Sequence, residues 1–430
     1  MVVGVDAPVP LKNGQLATGI NFDNAATTPP FKSVLTSVIR FSPWYSSIHR
    51  GTGYKSRYSA EIYEESRYEV LKFVGADPNY YTAIFVKNTT EAINKLSYRL
   101  CKKAKKCMIL STSMEHHSND LPWRDKYDMD YINVNSDGTL SMEDLKLKLK
   151  KYENVVKLVT VTGASNVTGA KNPIHDIAKL CHKNGVKILV DGAQLVPHCP
   201  VAMGSPGESG NIDFLVFSAH KMYAPFGIGV LIGPKEVFME GSPDYAGGGT
   251  VKYVTHDYVS WDDPPEKEEA GSPNVIGAAA LMASIRTLNS LGMKNVEKHE
   301  RQLTSYALER LQKIPQVVLY DEVPLENRVG IIPFNIKGIS YDKAAELLSD
   351  MGGISTRCGC FCAQPYVQCL LKLSPEQVRN YINNQDVKKP GMVRISFGLY
   401  NTISEIDTFI NVLWGIIRKE SLYKGGRLRE

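Results

Sequence analysis

The sequence predicts an α/β protein whose large domain is a mostly parallel sheet covered by helices, followed by a smaller α+β part toward the C-terminus. Three observations carry that expectation. Short apolar runs alternate with helical patterns through the middle of the chain, polar residues of coherent chemistry stand directly after those runs, and 430 residues exceed what one hydrophobic core usually covers.

The elements follow in chain order. Ile84, Phe85 and Val86 form a first candidate strand, and Asn88-Thr89-Thr90-Glu91 then opens a helical pattern through Ile93, Leu96 and Leu100. Residues 107–110 are a second apolar run. The run at 157–161 reads as a buried strand. After it, Pro173 and Ile174 start a helix with Ile177, Leu180 and Cys181 on one side, Gly185 stops it, and 186–190 is the next strand. Strand, helix and strand in that order are the layout of a βαβ unit with parallel strands. Runs at 214–217 and 229–232 extend the sheet, which calls for helices on both faces. The helical pattern at 276–291, rich in small residues such as Ala278, Ala279 and Ala280, would link this layer to a second domain. Strands are expected there at 317–320 and 393–396. In the last helix Thr402 and Glu405 make a capping box, and Ile406, Phe409, Ile410, Leu413 and Ile417 share one apolar face.

Composition narrows the function class. Hydrophobic residues are 43% and charged residues 22%, the balance of an ordinary globular protein with little room for long disorder. A net charge of +5 over so long a chain is weak ground for a nucleic-acid partner, and the one dense basic run, Lys102, Lys103, Lys105 and Lys106, reads as a solvated helix end and turn. No apolar run reaches the ~20 residues of a membrane helix and no secretory leader pattern opens the chain, so the expectation is a cytoplasmic protein with no membrane partner. Eight cysteines, five of them scattered, argue for reduced thiols rather than a disulfide framework. The other three, Cys358, Cys360 and Cys362, crowd one segment and need a chemical explanation.

In an open parallel sheet, ligands collect beyond the carboxyl ends of the strands. The hydroxyls of Thr89 and Thr90, with the free backbone N–H groups of a helix start, suit a phosphate, although Thr-Thr-Glu is equally a plain helix cap. Asp191 ends its run with Gly192, Ala193 and Gln194 behind it; a carboxylate there could hold a protonated ring nitrogen, ligate a metal or make a turn. Lys221, in Ser218-Ala219-His220-Lys221-Met222-Tyr223, follows a buried run and precedes Gly227 and Gly229. A lysine so placed can form a Schiff base, with Ser218 and His220 adding phosphate donors. The pair His116-His117 is a weak metal motif, because adjacent side chains diverge and no third ligand stands at helical spacing, so no metal is expected.

These residues, in this order, resemble the class V aminotransferase family of pyridoxal-phosphate (PLP) enzymes, and within it the group-II cysteine desulfurases of the SufS type. The likeness runs from about Asn21 to Asn411. Phe22-Asp23-Asn24-Ala25-Ala26-Thr27 looks like the family's opening strand, and His49-Arg50-Gly51 like a segment that reaches the neighbouring subunit's site. Glu115-His116-His117-Ser118-Asn119 resembles the segment whose first histidine stacks on the cofactor ring, and residues 88–94 resemble the phosphate-binding turn. By the same likeness, Asn166 and Gln194 match contacts to the cofactor's phenolic oxygen, Asp191 the partner of its ring nitrogen, and Lys221 the Schiff-base lysine. Thr89, Thr90, Ser218 and His220 match phosphate donors, and Ser272 in Gly271-Ser272-Pro273-Asn274 matches the loop lent to the partner's phosphate, with Ser in place of the usual Thr. Arg394 matches the arginine that clamps the substrate carboxylate, with His49, Arg50, Asn166 and Arg357 also on the substrate side. The resemblance implies fold type I with a seven-stranded sheet. It divides the chain into a large PLP-binding domain at 21–283 and a small domain of 1–20 with 284–430, and it implies a homodimer whose sites draw on both chains.

Fold alone does not choose among transamination, racemisation, elimination and desulfuration. The segment Arg357-Cys358-Gly359-Cys360-Phe361-Cys362-Ala363-Gln364-Pro365 resembles the desulfurase loop, and Cys362 takes the nucleophile's position, with Arg357 able to supply an electropositive setting. The implied reaction converts L-cysteine to L-alanine and leaves a persulfide on Cys362 for a sulfur-acceptor protein, the family's link to iron–sulfur cluster assembly. Lys221 would shuttle a proton and His116 would be a candidate acid or base. Two departures from the family stand out. The usual pair of histidines before the nucleophile is here Cys360 and Phe361, and an extended segment would project Cys358, Cys360 and Cys362 to one face, fit to relay a persulfide, close a disulfide or bind a thiophilic metal. The second departure is the long interval from Cys362 to Arg394, in which 374–387 reads as an added surface element. The rival readings are a related PLP enzyme without sulfur transfer (carbon–sulfur lyase, selenocysteine lyase, epimerase or aminotransferase) and a scaffold that has lost catalysis.

Overall fold

Seven strands pair into one sheet in the computed structural model of the chain, which describes residues 1–49, 51–100, 107–384 and 386–426. They are β1 (Tyr81–Val86), β2 (Met108–Thr112), β3 (Asp128–Ile132), β4 (Val156–Thr162), β5 (Lys187–Asp191), β6 (Phe214–Ser218) and β7 (Gly229–Pro234), in the spatial order β1-β7-β6-β5-β4-β2-β3. The pairs β2/β3, β2/β4, β4/β5 and β5/β6 are parallel, and β7 alone runs antiparallel to its neighbours β1 and β6. The expected mostly parallel sheet is therefore present.

Alternation of side chains through the pleat explains why its strands read as continuous apolar runs. In β1, Ile84 and Val86 enter one core cluster while Ala83 and Phe85 enter another; in β6, Phe214 and Val216 take the first side and Leu215 and Phe217 the second. Helix α1 (Thr89–Arg99) covers the first face through Ala92, Ile93 and Leu96. Helices α2 (Ile174–Lys183) and α3 (Val275–Leu291) cover the second, with the fully buried Ala278, Ala280 and Leu281 of α3. The edge strand β3 went unforeseen because only its Ile132 is buried, so it shows no apolar run.

Helix α4 (Met293–Gln312) leads to a second sheet made of β8 (Val317–Leu319), β9 (Ile331–Ile336), β10 (Arg357–Gly359) and β11 (Met392–Ser396), ordered β8-β9-β11-β10 and antiparallel throughout. Between β9 and β11 the chain forms α5 (Tyr341–Gly352), α6 (Gln364–Leu370) and α7 (Pro375–Asn383), and it closes with α8 (Ile403–Gly426). A separate core joins Leu303, Leu311, Phe334, Leu348, Val393, Ile395, Ile406 and Phe409. The foreseen capping box of α8 is made: the Thr402 N–H donates to Glu405 Oε2 at 2.6 Å and the Glu405 N–H to Thr402 Oγ1 at 3.3 Å. The polar stretch after Cys362 forms α7, closed by a Ser374–Gln377 capping box, with no residue buried.

Two expectations are corrected. Residues 22–27 form no continuous strand: the ladder ends at Asn21, Phe22 and Asp23 keep backbone contacts to Ser355 and Ser396, and from Asn24 on side chains take over the hydrogen bonding. Asn24 Nδ2 donates to Ser396 O and Asn401 Oδ1 at 3.0 and 3.1 Å, and the Ala25 N–H donates to Ser396 Oγ at 2.9 Å. This turn binds the start of the chain to β11. Cys107 is disulfide-bonded, against the expectation of reduced thiols throughout; among the described residues Cys181, Cys199, Cys358, Cys360, Cys362 and Cys369 are free. The basic run from Lys102 to Lys106 lies outside the described residues. Among the described residues no single helix is long and apolar enough to cross a membrane.

Candidate functional site

The carboxyl ends of the parallel strands open into a cavity of about 620 Å³. Each strand end delivers side chains to it: β1 gives Thr89 and Thr90, β2 gives His116, β4 gives Asn166, β5 gives Asp191 and Gln194, and β6 gives Ser218, His220 and Lys221. From the other side come Arg394 on β11 and the segment from Arg357 to Cys362. The amine at 221 and the thiol at 362 thus face one space.

One end of the cavity is a hydroxyl-lined helix start. Asn88 caps α1 by accepting the Glu91 N–H at 3.0 Å, while Thr89 donates its N–H to Ser218 Oγ at 2.8 Å and sets its hydroxyl 2.7 Å from the same atom. Thr90 Oγ1 lies 2.6 Å from Ser118 Oγ. A Cβ on Gly229 would stand 2.6 Å from Asn88 Cα, so β7 can pass beneath this turn only as glycine. A helix dipole and the hydroxyls of Thr89, Thr90 and Ser218 make this end suited to a dianion.

The middle holds the titratable groups. Burial raises the Asp191 carboxyl, with the Ala193 N–H donating to it at 3.0 Å and Lys221 opposing the rise. Burial lowers the Lys221 amine to about 8, against the pull of Asp191, Asp23 and Cys362. His116 is pushed down to about 4 by burial and by Lys221, so it is neutral near pH 7. Its Nδ1 accepts the Ser118 N–H at 3.1 Å, which assigns the ring proton to Nε2. Gln194 Nε2 donates to Ala25 O at 2.6 Å while its buried Oε1 has no partner.

The third part is the cysteine turn. The Ala363 N–H donates to Cys360 O at 2.9 Å, closing a turn whose central residues Phe361 and Cys362 both sit in the left-handed region at φ +53° and +54°. The segment is therefore not extended through Cys362, which corrects the picture of three thiols projecting from one strand face. Two non-glycine residues at positive φ cost about 1–3 kcal/mol each and need support. Asn166 Nδ2 donates to Phe361 O at 2.7 Å, the His117 N–H donates to Cys362 O at 2.6 Å, and the Gln364 N–H reaches His117 Nε2 at 3.4 Å. His117 therefore serves the turn. Among the described residues no group of three or more His, Cys, Asp or Glu side chains is disposed to hold a metal ion.

Arg394 is nearly fully buried beside that turn, its guanidinium 5.0 Å from the centre of the Phe361 ring. Nη1 donates to Asn166 O at 2.8 Å and Nη2 to Asp23 Oδ1 at 3.0 Å, while Nε is buried without a partner. Asp23 Oδ2 also pairs with Arg357 at 3.2 Å. Burial lowers Arg394 to about 10 with Asp23 opposing, so it stays charged at neutral pH.

All but three of the foreseen site residues line this cavity. His49 and Ser272 are exposed elsewhere, and Arg50 lies outside the described residues. His49 and Ser272 belong to one surface region: a Cβ on Gly249 would stand 3.6 Å from His49 Nε2, and the Gly271 N–H donates to Gly248 O at 2.8 Å. Sequence reasoning missed Asp23, Phe361 and Glu115. A buried arginine needs a counter-ion, and that requirement was the available signal for Asp23. Glu115, raised to about 8 by burial, anchors the His116 loop by accepting from Thr112 Oγ1, Asn119 Nδ2 and the Thr162 N–H at 2.6, 2.5 and 2.8 Å.

A seven-stranded, mostly parallel sheet with a buried lysine, a buried aspartate and an anion-binding helix start at its carboxyl edge defines a class of α/β enzyme. The chain belongs to the class V aminotransferase family, whose sequence profile matches residues 20–409. Within the family it is similar to proteins named cysteine desulfurase: one from Haloferax volcanii, 31% identical over 96% of this chain and 92% of the relative, and one from Escherichia coli K12, 33% identical over 92% and 93%. Among solved structures, the apo cysteine desulfurase of Thermococcus onnurineus NA1 superposes with a TM-score of 0.83 at 31% identity, covering 93% of this chain and 95% of that one. A cysteine desulfurase from Escherichia coli in its S-sulfonic acid form gives 0.79 at 27% identity over the same shares.

Proposed function

We propose that this protein is a PLP-dependent cysteine desulfurase that moves the sulfur of L-cysteine onto Cys362 and leaves L-alanine. One observation carries the reading: a buried amine and a free thiol face the same cavity. The residues fit PLP. Thr89, Thr90, Ser218 and His220 would hold its phosphate, Asp191 its ring nitrogen, His116 its face, and the unpartnered Gln194 Oε1 with Asn166 its phenolic side. When bound, PLP supplies an electron sink for the bonds around the substrate α-carbon and a carbonyl carbon for Lys221.

The chain's own residues do the rest. Arg394, charged, buried and with Nε free of partners, binds the substrate carboxylate, and Asp23 keeps the guanidinium oriented between substrates. With its pKa near 8, Lys221 Nζ both accepts and returns a proton close to neutral pH. Cys362 Sγ forms a bond to the substrate sulfur as the carbon–sulfur bond breaks, and Lys221 is the group positioned to protonate the carbon.

The same reading takes the protein as a cytoplasmic homodimer that passes sulfur to an acceptor protein serving iron–sulfur cluster assembly. His49 and Ser272, together on an exposed surface with Tyr245, Tyr253 and Tyr258 in the same stretch of chain, are the residues lent to the second copy. The test is incubation of the PLP-loaded protein with L-cysteine. Alanine should form in step with sulfur bound to protein, and Cys362→Ser should abolish both. Pyruvate and ammonia that persist in Cys362→Ser would instead identify a carbon–sulfur lyase and overturn the proposal.

A further inference from the structure

The guanidinium of Arg394 rests against a side chain that offers it no hydrogen bond. We infer that Phe361 is a positioning residue for Arg394: its ring holds the guanidinium in place and keeps water off it, while leaving its charge and its free N–H groups to the substrate carboxylate. The inference rests on the reading of Arg394 as the carboxylate clamp.

Three residues close a circuit at the cavity wall. Asn166 Nδ2 donates to Phe361 O at 2.7 Å, Arg394 Nη1 donates to Asn166 O at 2.8 Å, and the Arg394 guanidinium carbon lies 5.0 Å from the centre of the Phe361 ring. All three residues line the cavity, and Phe361 and Arg394 are both buried. The backbone at Phe361 is bent at φ +53° inside the turn closed by the Ala363 N–H on Cys360 O, so the turn sets the direction of the ring. Arg394 arrives from β11. The ring and the guanidinium are thus carried by separate segments, and Asn166 ties both to the large sheet.

The chemistry of the contact explains why an aromatic ring serves here. A buried guanidinium needs compensation, yet each carboxylate that the protein supplies weakens the attraction left for the substrate. Arg394 has Asp23 Oδ1 at 3.0 Å, and Asp23 Oδ2 is shared with Arg357 at 3.2 Å, so two positive charges divide one negative charge. The negative face of a phenyl ring attracts a cation without cancelling its charge and without claiming the N–H groups that lie in the guanidinium plane. Nη1 and Nη2 each donate one N–H to protein, and Nε is buried without a partner. An acceptor side chain at 361 would compete for the N–H groups that remain; the ring leaves them free.

The experiment replaces Phe361 with phenylalanines carrying one, three and five ring fluorines. Fluorine drains the negative face stepwise and nearly conserves the shape of the side chain, so packing and the turn are kept while the attraction to the guanidinium fades. In the PLP-loaded protein, binding of L-alanine, read from the visible absorption of the bound cofactor, should weaken in that order, by about 5- to 30-fold at five fluorines, the range for a desolvated cation over a ring. KM for L-cysteine should rise in the same order, with a smaller change in kcat. Phe361→Leu, apolar but without a ring face, should match the five-fluorine protein. An L-alanine affinity that ignores fluorination, or a kcat that falls while the affinity holds, would overturn the assignment and leave the ring as part of the Cys362 turn alone. L-cysteine that puts no sulfur on Cys362, in a protein whose L-alanine affinity still follows the fluorine series, would remove the desulfurase reading and leave this one standing.

Discussion

Replacing Lys221 with Met removes an amine that the fold holds at a cost. Burial lowers its pKa from 10.5 to about 8. At about 1.36 kcal/mol per pH unit, keeping the ammonium charged in the cavity costs about 3 kcal/mol, and water at the cavity mouth screens part of it, leaving about 2–3 kcal/mol. Because the folded-state value lies below the unfolded one, this penalty is complete below pH 8, shrinks between pH 8 and 10.5, and vanishes above. Unfolding entropy of ~2.1 cal/mol/K per residue gives about 0.9 kcal/mol/K for the whole chain, so the cofactor-free Lys221→Met protein should melt about 2–3 °C above the cofactor-free wild type at pH 7. Scanning calorimetry at pH 7, 9 and 10.5 checks this. The gap should close across the series. A variant that melts at or below the wild type at pH 7, or a gap unchanged by pH, would refute the electrostatic account of this site.

Two further substitutions probe the carboxylate clamp. Arg394→Lys replaces a planar fork with a point charge and should raise KM for L-cysteine about 10- to 100-fold with a smaller effect on kcat, measured by steady-state alanine formation; an unchanged KM would remove Arg394 from substrate binding. Asp23→Asn takes away the counter-ion shared by Arg394 and Arg357. Since Asp23 is partly exposed, the loss should be about 1–3 kcal/mol, below the value for a fully buried pair, and added L-alanine, whose carboxylate can take the vacated place, should restore part of the melting temperature. No loss, or no recovery with L-alanine, would count against this arrangement.

How far the sequence revealed all this depends on which physical signal each part left. The parallel strands were legible because burial on both faces makes runs such as 214–217 apolar without interruption, and the residues after them were legible because strand ends converge on one edge. Strand β3 left no such signal, since its solvent-side residues break the run. The 22–27 segment misled for another reason: its likeness to the family's opening strand carried the expectation, whereas its Asp, Asn and Ala residues are poor strand formers and Asn24 and Ser396 satisfy the backbone through side chains, a contact across 372 positions that no local pattern shows. Glu115 was hidden inside a motif read for its histidine. The turn at Phe361 and Cys362 was illegible because neither residue advertises a positive φ; glycine or asparagine would have.

That last point bears on how the site is assembled. The amine is fixed by the large sheet, through β6, whereas the thiol and Arg394 hang from the small sheet, through β10 and β11. Asn166 joins the two: its side chain holds Phe361 O and its own carbonyl receives Arg394 Nη1. Glycines at 361 and 362 would adopt the same dihedrals without strain, yet would remove the ring that faces the Arg394 guanidinium and the thiol that faces Lys221. The strain is therefore the cost of placing two particular side chains on a two-residue bend, and the hydrogen bonds from Asn166 and His117 offset it. A turn held in this way fixes the thiol against the amine more tightly than a free loop could, which is what the proposed passage of sulfur from a substrate held beside the amine onto the thiol requires.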